Sequence, residues 1–189
     1  MKKINLILLA SGYSRRFKGN KLLADLNNKP IFMHIIDKVI DMKFNKIICV
    51  TQYEEIEKIL AGTCIDVIIN ENSSLGISNS IKLGIGFDKD ADAYMFMVCD
   101  QPFMKRETIQ RIIDKFVSGD KGIVAAGNKD IPGNPVIFSK KYLYKLLSLQ
   151  GDTGGKKIVN MNLEDTDIIQ VYESELVDID TRDVYENLI

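Results

Sequence analysis

Short apolar runs rich in β-branched residues alternate with stretches of helical periodicity along most of this chain. The strand-like runs are Ile4–Leu9, Lys46–Thr51, Asp66–Asn70, Ala93–Cys99, Gly122–Ala126 and Pro135–Phe138. Apolar residues at helical spacing stand between them, at Ile31–Ile40, Ile56–Leu60, Ile77–Ile85 and Ile109–Phe116. Most of the strand-like runs are continuous rather than alternating, which predicts a parallel sheet covered on both faces. The repetition of strand and helix therefore predicts an α/β fold with right-handed crossovers.

Length, composition and charge exclude several classes of protein. The 189 residues are about the length of one domain, and 1–189 is interpreted as a single domain. Apolar residues make up 46% of the chain, which excludes general disorder. A formal net charge of -1 argues against an extended nucleic-acid surface, which usually has a basic surplus. No stretch approaches the roughly 18 apolar residues of a membrane-spanning helix.

The cysteines and the first residues indicate a cytoplasmic protein. Cys49, Cys64 and Cys99 are odd in number and match no zinc spacing, so they are predicted to be free thiols in a reducing compartment. The segment from Met1 to Ala10 resembles the start of a signal peptide. Its apolar part is short, is interrupted by Asn5 and lacks a small-residue cleavage site, so we interpret it as the first core strand.

A basic, glycine-containing segment follows the first strand, at the strand end where ligands collect in open α/β sheets. Gly12 allows the backbone to approach a ligand closely, and successive N–H groups in such a loop can form an anion-binding nest. Arg15, Arg16, Lys18 and Lys21 add four positive charges within this segment. Together these features suit a triphosphate. The alternative interpretation is a basic loop that contacts only solvent.

Two aspartates stand where strands are predicted to end. Asp100 follows the fourth run and is succeeded by Gln101 and Pro102, and Asp180 lies near the end of the chain. Mg²⁺ typically takes one or two carboxylates together with substrate phosphates, so Asp100 and Asp180 are candidate ligands. The alternative for each is a helix-capping or helix-dipole role.

Other polar segments give weaker signals. The run from Asn70 to Ser80 leads into a predicted helix and could bind a nucleobase, although helix capping explains Ser78 equally well. His34, the only histidine, lies in the first helical pattern and is interpreted as structural. A serine–histidine triad is therefore not predicted. Near the end of the chain, Val177–Asp183 is predicted to be a short strand turning into a last helix capped by Thr181.

The order of these motifs resembles a known family. The N-terminal pattern is Leu8-Leu9-Ala10-Ser11-Gly12-x-Ser14-x-Arg16-x-x-x-x-Lys21-Leu22-Leu23. Later landmarks are Gly76-x-Ser78-x-Ser80, Asp100-Gln101-Pro102, Gly133-Asn134-Pro135-Val136, Gly151-Asp152-x-Gly154 and Asp178-Ile179-Asp180-Thr181. Together they resemble the MobA-like nucleotidyltransferases, and within them most of all the molybdenum cofactor cytidylyltransferases. The resemblance extends over nearly the whole chain.

This resemblance implies a fold and a reaction. The fold would be a Rossmann-like three-layer α/β/α sandwich with a mostly parallel sheet, of the nucleotide-diphospho-sugar transferase type. The reaction would be the Mg²⁺-dependent transfer of CMP from CTP to the terminal phosphate of molybdopterin, with release of pyrophosphate. Residues 1–104 would form the nucleotide-binding half and residues 105–189 the acceptor-binding half. A molybdoenzyme would receive the product, with no nucleic acid or membrane involved.

The resemblance also implies roles for individual residues. Nucleotide binding would fall to Leu9, Ala10, Ser11, Gly12, Lys21, Ser78 and Ser80. The catalytic residues would be Arg16, Lys21 and Asp100, with Asp100 and Asp180 holding the metal. The acceptor would be bound by Gln101, Asn134, Gly151 and Asp152. Because the acceptor phosphate is already anionic, the reaction needs positioning and charge stabilisation rather than a strong base.

Some positions depart from the family pattern and leave alternatives open. Ser11 stands where the family usually has alanine, or glycine in guanylyl-transferring members, so GTP remains an alternative to CTP. Lys18, Cys99 and Arg182 replace two glycines and a proline. Another phosphorylated acceptor, such as a sugar phosphate, is a second alternative. A non-catalytic carrier of the molybdenum cofactor is a third, although such a carrier would need the cavity but not both carboxylates.

Overall fold

Seven strands and seven helices follow one another in a computed structural model that describes residues 2–17 and 19–188. The strands are β1 Ile4–Ala10, β2 Lys46–Thr51, β3 Asp66–Ile69, β4 Ala93–Val98, β5 Ile123–Asn128, β6 Ile131–Ser139 and β7 Thr166–Gln170. The helices are α1 Met33–Val39, α2 Glu54–Leu60, α3 Ile77–Phe87, α4 Arg106–Ser118, α5 Leu143–Leu147, α6 Lys156–Asn160 and α7 Arg182–Glu186. Short 3₁₀ turns span Lys21–Leu23, Ser73–Leu75, Lys140–Tyr142, Leu163–Asp165 and Glu173–Leu176.

The strands form one sheet in the order β3-β2-β1-β4-β6-β5-β7. β1 pairs in parallel with both β2 and β4, and β5 pairs in parallel with β7. Of the strands in the described residues, only β6 runs against its neighbours β4 and β5. The prediction of a mostly parallel sheet is confirmed. The order reverses direction between β1 and β4, and such a switch point is where open α/β sheets bind ligands.

Helices cover both faces of the sheet and bury its apolar side chains. On one face α1, α2 and α4 pack on Leu6, Leu8 and Met95. On the other face α3, α5 and α6 pack on Ile7, Ile48 and Phe138. Alternate residues of each strand point to opposite faces, so burial on both sides requires the continuous apolar runs seen in the sequence. The three-layer α/β/α sandwich is therefore confirmed.

β1 is central in the sheet even though Asn5 interrupts its apolar run. The Asn5 side chain is fully buried. Its amide nitrogen donates to the Asp88 carboxylate over 3.1 Å, and its oxygen accepts from the Asn45 amide over 2.8 Å. A buried amide with these partners avoids most of the cost of desolvation. The interpretation of this segment as a core strand is confirmed, and Met1 lies outside the described residues.

The last third of the chain differs from the prediction in two places. β7 was not predicted, because its sequence mixes two isoleucines with polar residues and forms no continuous apolar run. In the structure it is a half-buried strand at the edge of the sheet, paired with β5. The predicted strand at Val177–Asp180 is wrong. That segment has no place in the sheet, and its Ile179 N–H donates to the Asp100 carbonyl while the side chain is buried in a small separate cluster. The helix after Thr181 is confirmed, since the Thr181 hydroxyl accepts from the Val184 N–H.

Two glycines of α3 give a matched test of how closely this helix packs on the sheet. A Cβ on Gly84 would lie 2.5 Å from Cγ2 of the buried Ile7, whereas none of the described atoms comes within 4 Å of a Cβ on Gly86. We expect Gly84→Ala to lower the free energy of unfolding by about 1–3 kcal/mol through overpacking. Gly86→Ala should raise it by up to about 1 kcal/mol through helix propensity. Urea unfolding of the two variants measures both; equal effects would contradict the close packing.

Candidate active site

A cavity of about 380 Å³ opens at the switch point between β1 and β4. One wall is the segment after β1, from Ser11 to Arg16, together with Lys21. The opposite wall comes from the turn before α3 and the start of that helix, and Val98 and Asp100 close the side next to β4. The cavity therefore lies at the carboxyl ends of the parallel strands, where the basic segment and Asp100 were expected to meet.

The segment after β1 is held by hydrogen bonds from the end of β2 and the residues after it. The Ser11 hydroxyl donates to the Val50 carbonyl over 2.9 Å, and the Gln52 amide donates to the Ser11 carbonyl over 2.8 Å. The Tyr53 hydroxyl donates to the Gly12 carbonyl over 2.6 Å. These contacts fix the backbone before any ligand binds. Across the described residues, no atom lies within 4 Å of a Cβ on Gly12, so this backbone borders open space.

The opposite wall is supported by a hydrogen-bonded set of amides and hydroxyls. The Asn70 amide donates to the buried Ser80 hydroxyl over 3.0 Å, and the Asn79 amide donates to the Asn70 side-chain oxygen over 2.7 Å. Ser73 donates to the Gln52 side-chain oxygen over 2.9 Å. Gln52 thus connects the two walls, since its nitrogen contacts the segment after β1 and its oxygen contacts Ser73. The result is a polar slot of defined width.

A cluster of four charged side chains lies at the β4 side of the cavity. The Lys21 ammonium is 2.5 Å from Asp100 Oδ2 and 2.8 Å from Asp180 Oδ1. Arg16 contacts the second oxygen of Asp180 at 3.1 Å. The Lys21 side chain is only 9% exposed and that of Arg16 is 73% exposed, so Lys21 makes the stronger pairs. Residues from three distant parts of the chain therefore meet in one charge cluster.

The electrostatics keep Lys21 and Asp180 ionised. Burial alone would lower the pKa of Lys21, but the charge and hydrogen bond of Asp100, together with those of Asp180, raise it. The hydrogen bond from Lys21 in turn holds the pKa of Asp180 below its usual value. Near neutral pH the ammonium is thus protonated and the Asp180 carboxylate deprotonated.

The donor set fits a divalent cation that also binds phosphate. Asp100 Oδ1 is buried and accepts no hydrogen bond from any described residue. Across residues 2–17 and 19–188, no three His, Cys, Asp or Glu side chains gather as a complete ligand set. Two carboxylates with one oxygen still unpartnered match Mg²⁺ or Mn²⁺ sites that take their remaining ligands from water and phosphates.

A second cavity of about 800 Å³ adjoins the first, and Leu9, Ile77, Val98 and Asp152 line both. Its apolar lining includes Ile81, Phe96, Val136, Val159 and Leu176. Its polar lining includes Gln101, Asn134 and Asp152, three of the residues expected to bind the acceptor. Shared lining residues mean that molecules in the two cavities would approach each other beside the charge cluster.

Neighbouring residues at the junction contribute to different cavities. Asp100 lines the first and Gln101 the second, while Asp180 lines the first and Asp178 the second. Gln101 is buried, and its amide donates to Asp178 Oδ1 over 3.0 Å. Desolvation of the Asp178 carboxyl group is the main cause that raises its pKa, and the negative charge of Asp100 is the second.

Most of the expected residues meet at these cavities, but three do not. Ala10 and Ser78 are buried, and neither is among the described residues that line the first cavity. Gly151 lines neither cavity; its carbonyl accepts from the Ser78 N–H over 3.2 Å and thereby holds the Asp152 loop against α3. Lys18, expected to add a phosphate contact, lies outside the described residues.

Other sequence predictions concern residues away from the cavities. His34 contacts the Leu26 carbonyl through Nε2 over 2.9 Å, which agrees with a structural role. Cys49, Cys64 and Cys99 are free thiols, and burial raises the pKa of Cys49 to about 12. In the part of the chain that the structure describes, no helix is long and apolar enough to cross a membrane.

Several residues that shape the site were not predicted from the sequence. Gln52 and Tyr53 follow β2, so the rule that ligands collect after strands could have identified them. Asp178 precedes the expected metal ligand Asp180 by two positions and was noted only as part of a motif. Phe96 and Val136 were interpreted as core strand residues, and the sequence gives no sign that they also line a cavity.

A mostly parallel sheet with a cavity at its switch point, lined in part by basic side chains, defines an open α/β protein with a ligand-binding site. Residues 6–167 match the MobA-like NTP transferase domain, and the chain belongs to that family. A probable molybdenum cofactor guanylyltransferase from Thermococcus sibiricus is 30% identical over 115 residues, 58% of this chain and 54% of that protein. The bifunctional protein GlmU from Buchnera aphidicola is 27% identical over 143 residues, 74% of this chain and 31% of GlmU. The chain thus spans about a third to a half of the length of these two relatives.

Solved structures share the whole fold. Rv0371c from Mycobacterium tuberculosis H37Rv superimposes with a TM-score of 0.85 at 24% identity, over 99% of this chain and 97% of that one. A second structure of Rv0371c, described as a complex with manganese, superimposes with a TM-score of 0.82 at 24% identity, over 98% and 97% of the two chains. At this identity the likeness establishes the common architecture.

Asp178 offers a test of the electrostatics at the junction. Folding raises the pKa of Asp178, so the ionised carboxylate is less favourable in the native state than in the unfolded state. At pH values where the group is ionised, it therefore lowers the free energy of unfolding. We expect Asp178→Asn, which keeps an oxygen that can accept from Gln101, to raise the free energy of unfolding at pH 7 by up to about 1 kcal/mol. The gain should disappear below about pH 4, where carboxyl groups are protonated in both states.

Urea unfolding at pH 7 and at pH 4 measures this effect. Asp90→Asn is the matched control, because the Asp90 side chain is 99% exposed. A gain for Asp178→Asn that is the same at both pH values, or no larger than the control, would contradict an electrostatic origin.

Proposed function

We propose that this protein transfers CMP from CTP to the terminal phosphate of a molybdopterin-type acceptor and releases pyrophosphate, with a divalent cation. The observation that carries the proposal is the junction of two cavities at one charge cluster of Arg16, Lys21, Asp100 and Asp180. A nucleotidyl transfer needs two substrates to meet at a site that stabilises phosphate charge. The family supports the reaction class, and the motifs shared with the cofactor-modifying branch support the acceptor.

The first cavity would hold the nucleoside triphosphate. Leu9, Ser11 and Gly12 would form the wall against which the nucleotide lies, with Ser80 on the opposite side. Arg16 and Lys21 would neutralise the phosphates and the charge that develops during transfer, because both line this cavity and carry permanent charge. Ala10 and Ser78 would act indirectly, by supporting the wall from buried positions.

Asp100 and Asp180 would hold Mg²⁺, with the remaining ligands supplied by phosphate and water. When bound, the cation would polarise the phosphate oxygens and screen their charge. The unpartnered oxygen of Asp100 supports this assignment. The manganese complex of Rv0371c also supports a divalent cation, since the two chains share their fold.

The second cavity would bind the acceptor. Its apolar lining suits a ring system, and Asn134, Gln101 and Asp152 would orient the phosphate-bearing end toward the junction. Gly151 would position Asp152 through the contact of its loop with α3. Since the acceptor phosphate is already anionic, these residues need only to place it in line with the nucleotide.

GTP is the second candidate donor, and the names of the curated relatives favour it. The relative from Thermococcus sibiricus is named a probable guanylyltransferase. In this chain the Ser11 hydroxyl already donates to the Val50 carbonyl, so it is engaged within the protein. CTP is preferred here because the narrower motifs resemble the cytidylyl-transferring branch.

Thermal unfolding with each nucleotide tests the donor. We expect CTP with Mg²⁺ to raise the melting temperature more than GTP, ATP or UTP with Mg²⁺. At about a hundred times its dissociation constant a ligand adds roughly 2.7 kcal/mol of stability. A shift selective for GTP would instead assign the protein to guanylyl transfer, and no shift with any nucleotide would contradict the proposal.

Asp100→Asn tests the reaction. The change retains the shape of the side chain but removes the charge that would hold the metal, so pyrophosphate release in the presence of CTP and molybdopterin should fall by at least about a hundredfold. Asp114→Asn, on the exposed face of α4, is the control and should keep full activity. A carrier would be favoured if neither the wild type nor Asp100→Asn released pyrophosphate and both delivered the cofactor equally well.

A further inference from the structure

Lys21 lies between the two carboxylates that the proposed function assigns to the metal. Its ammonium is 2.5 Å from Asp100 Oδ2 and 2.8 Å from Asp180 Oδ1, and its side chain is 9% exposed. Both oxygens are therefore already bound to a positive charge.

A divalent cation cannot use both carboxylates while Lys21 stays in this position. One oxygen of each carboxylate accepts from Lys21, and the second oxygen of Asp180 contacts Arg16. Only Asp100 Oδ1 has no partner within the described residues. One free oxygen is a weak site, so binding of the metal to both carboxylates requires Lys21 to move away.

A bound nucleotide would offer Lys21 new anionic partners. The cluster contains two cations and two carboxylates, so a metal ion alone would add positive charge beside Lys21 and Arg16. A triphosphate brings anionic oxygens into the cavity that both side chains line. The backbone at Lys21 is fixed, since its N–H donates to the Ser14 hydroxyl and Asn20 caps the turn that follows. The movement would therefore involve only the side chain.

We infer that Lys21 is an internal counter-ion that keeps the metal off Asp100 and Asp180 until a nucleotide binds. The inference rests on the proposed metal and nucleotide sites. Lys21 pairs with the carboxylates in the free protein and with the phosphates in the complex, and the metal replaces it between the carboxylates. The metal therefore binds together with the nucleotide and not before it.

Calorimetric titration with Mn²⁺ alone tests this exclusion. We expect Lys21→Met to bind Mn²⁺ more tightly than the wild type, by on the order of tenfold to a hundredfold, because the metal no longer has to break a largely buried ion pair. Mn²⁺ should also raise the melting temperature of this variant more than that of the wild type. If Lys21→Met does not fold, Lys21→Gln serves in the same titration.

Arg16→Met is the matched control. It removes the same amount of charge from the same cluster, but from an exposed contact on the outer oxygen of Asp180. Its affinity for Mn²⁺ should change only slightly, since exposed ion pairs contribute little. The difference in Mn²⁺ affinity between Lys21→Met and Arg16→Met shows whether Lys21 acts by occupying the metal site or only by adding positive charge to the cluster.

A second titration uses the complex of Mn²⁺ with CTP, without acceptor. In the wild type the CTP phosphates would draw Lys21 away from the carboxylates, whereas Lys21→Met has no ammonium to draw away. CTP should therefore strengthen Mn²⁺ binding in the wild type far more than in Lys21→Met. Equal Mn²⁺ affinities for Lys21→Met and Arg16→Met would overturn the counter-ion role. The proposed metal site would still stand if the wild type bound Mn²⁺ with CTP. Failure of every protein to bind Mn²⁺, with or without CTP, would overturn both.

Discussion

The sheet places β1 beside β4 although β2 and β3 lie between them in the sequence. The crossovers from β1 run to one side and the later chain runs to the other, so among the described residues no connection between strands covers the carboxyl ends of β1 and β4. The opening left there becomes the first cavity. The cavity depends on this strand order, because the segment after β1 and the residues at the end of β4 could not otherwise border the same small space.

The C-terminal part of the chain completes this opening from outside the sheet. Ile179 anchors the segment by donating to the Asp100 carbonyl and by burying its side chain. The buried Glu175 fixes the preceding turn to the start of α4, accepting from the Thr108 hydroxyl over 2.7 Å and from the Lys105 N–H over 3.2 Å. With both ends held, the backbone makes a tight turn at Ile179, in which the Asp180 N–H donates to the Asp178 carbonyl over 3.1 Å. The two aspartates therefore line different cavities, Asp180 the first and Asp178 the second, although only one residue separates them.

The sequence predicted what depends on short-range pattern. β1, β2 and β4 were found because burial on both faces requires continuous apolar residues, and β3, a half-buried edge strand, was found because Val67, Ile68 and Ile69 still form an apolar run. Lys21 and Asp100 were found because they follow strands. β7 was missed because an edge strand pairs on one side and tolerates polar residues. The error at Val177–Asp180 has a different cause, since alternating apolar and acidic residues resemble a strand even where the backbone turns, as it does between the Asp178 carbonyl and the Asp180 N–H. The place of Lys21 between two carboxylates depends on three segments far apart in the chain, and no local pattern encodes it.

The charges at the junction explain why the proposed phosphate site contains carboxylates at all. A cavity lined only by cations would repel the metal, and one lined only by carboxylates would repel the nucleotide. Pairing Lys21 and Arg16 with Asp100 and Asp180 gives a cluster that is neutral within itself and that exchanges partners when oppositely charged ligands arrive together. The burial of Lys21 and Asp100 makes this exchange selective, because a buried charge that loses its partner must find another. The internal ion pairs therefore maintain the geometry of the site, and in the inferred counter-ion role they keep the carboxylates from the metal until a nucleotide binds.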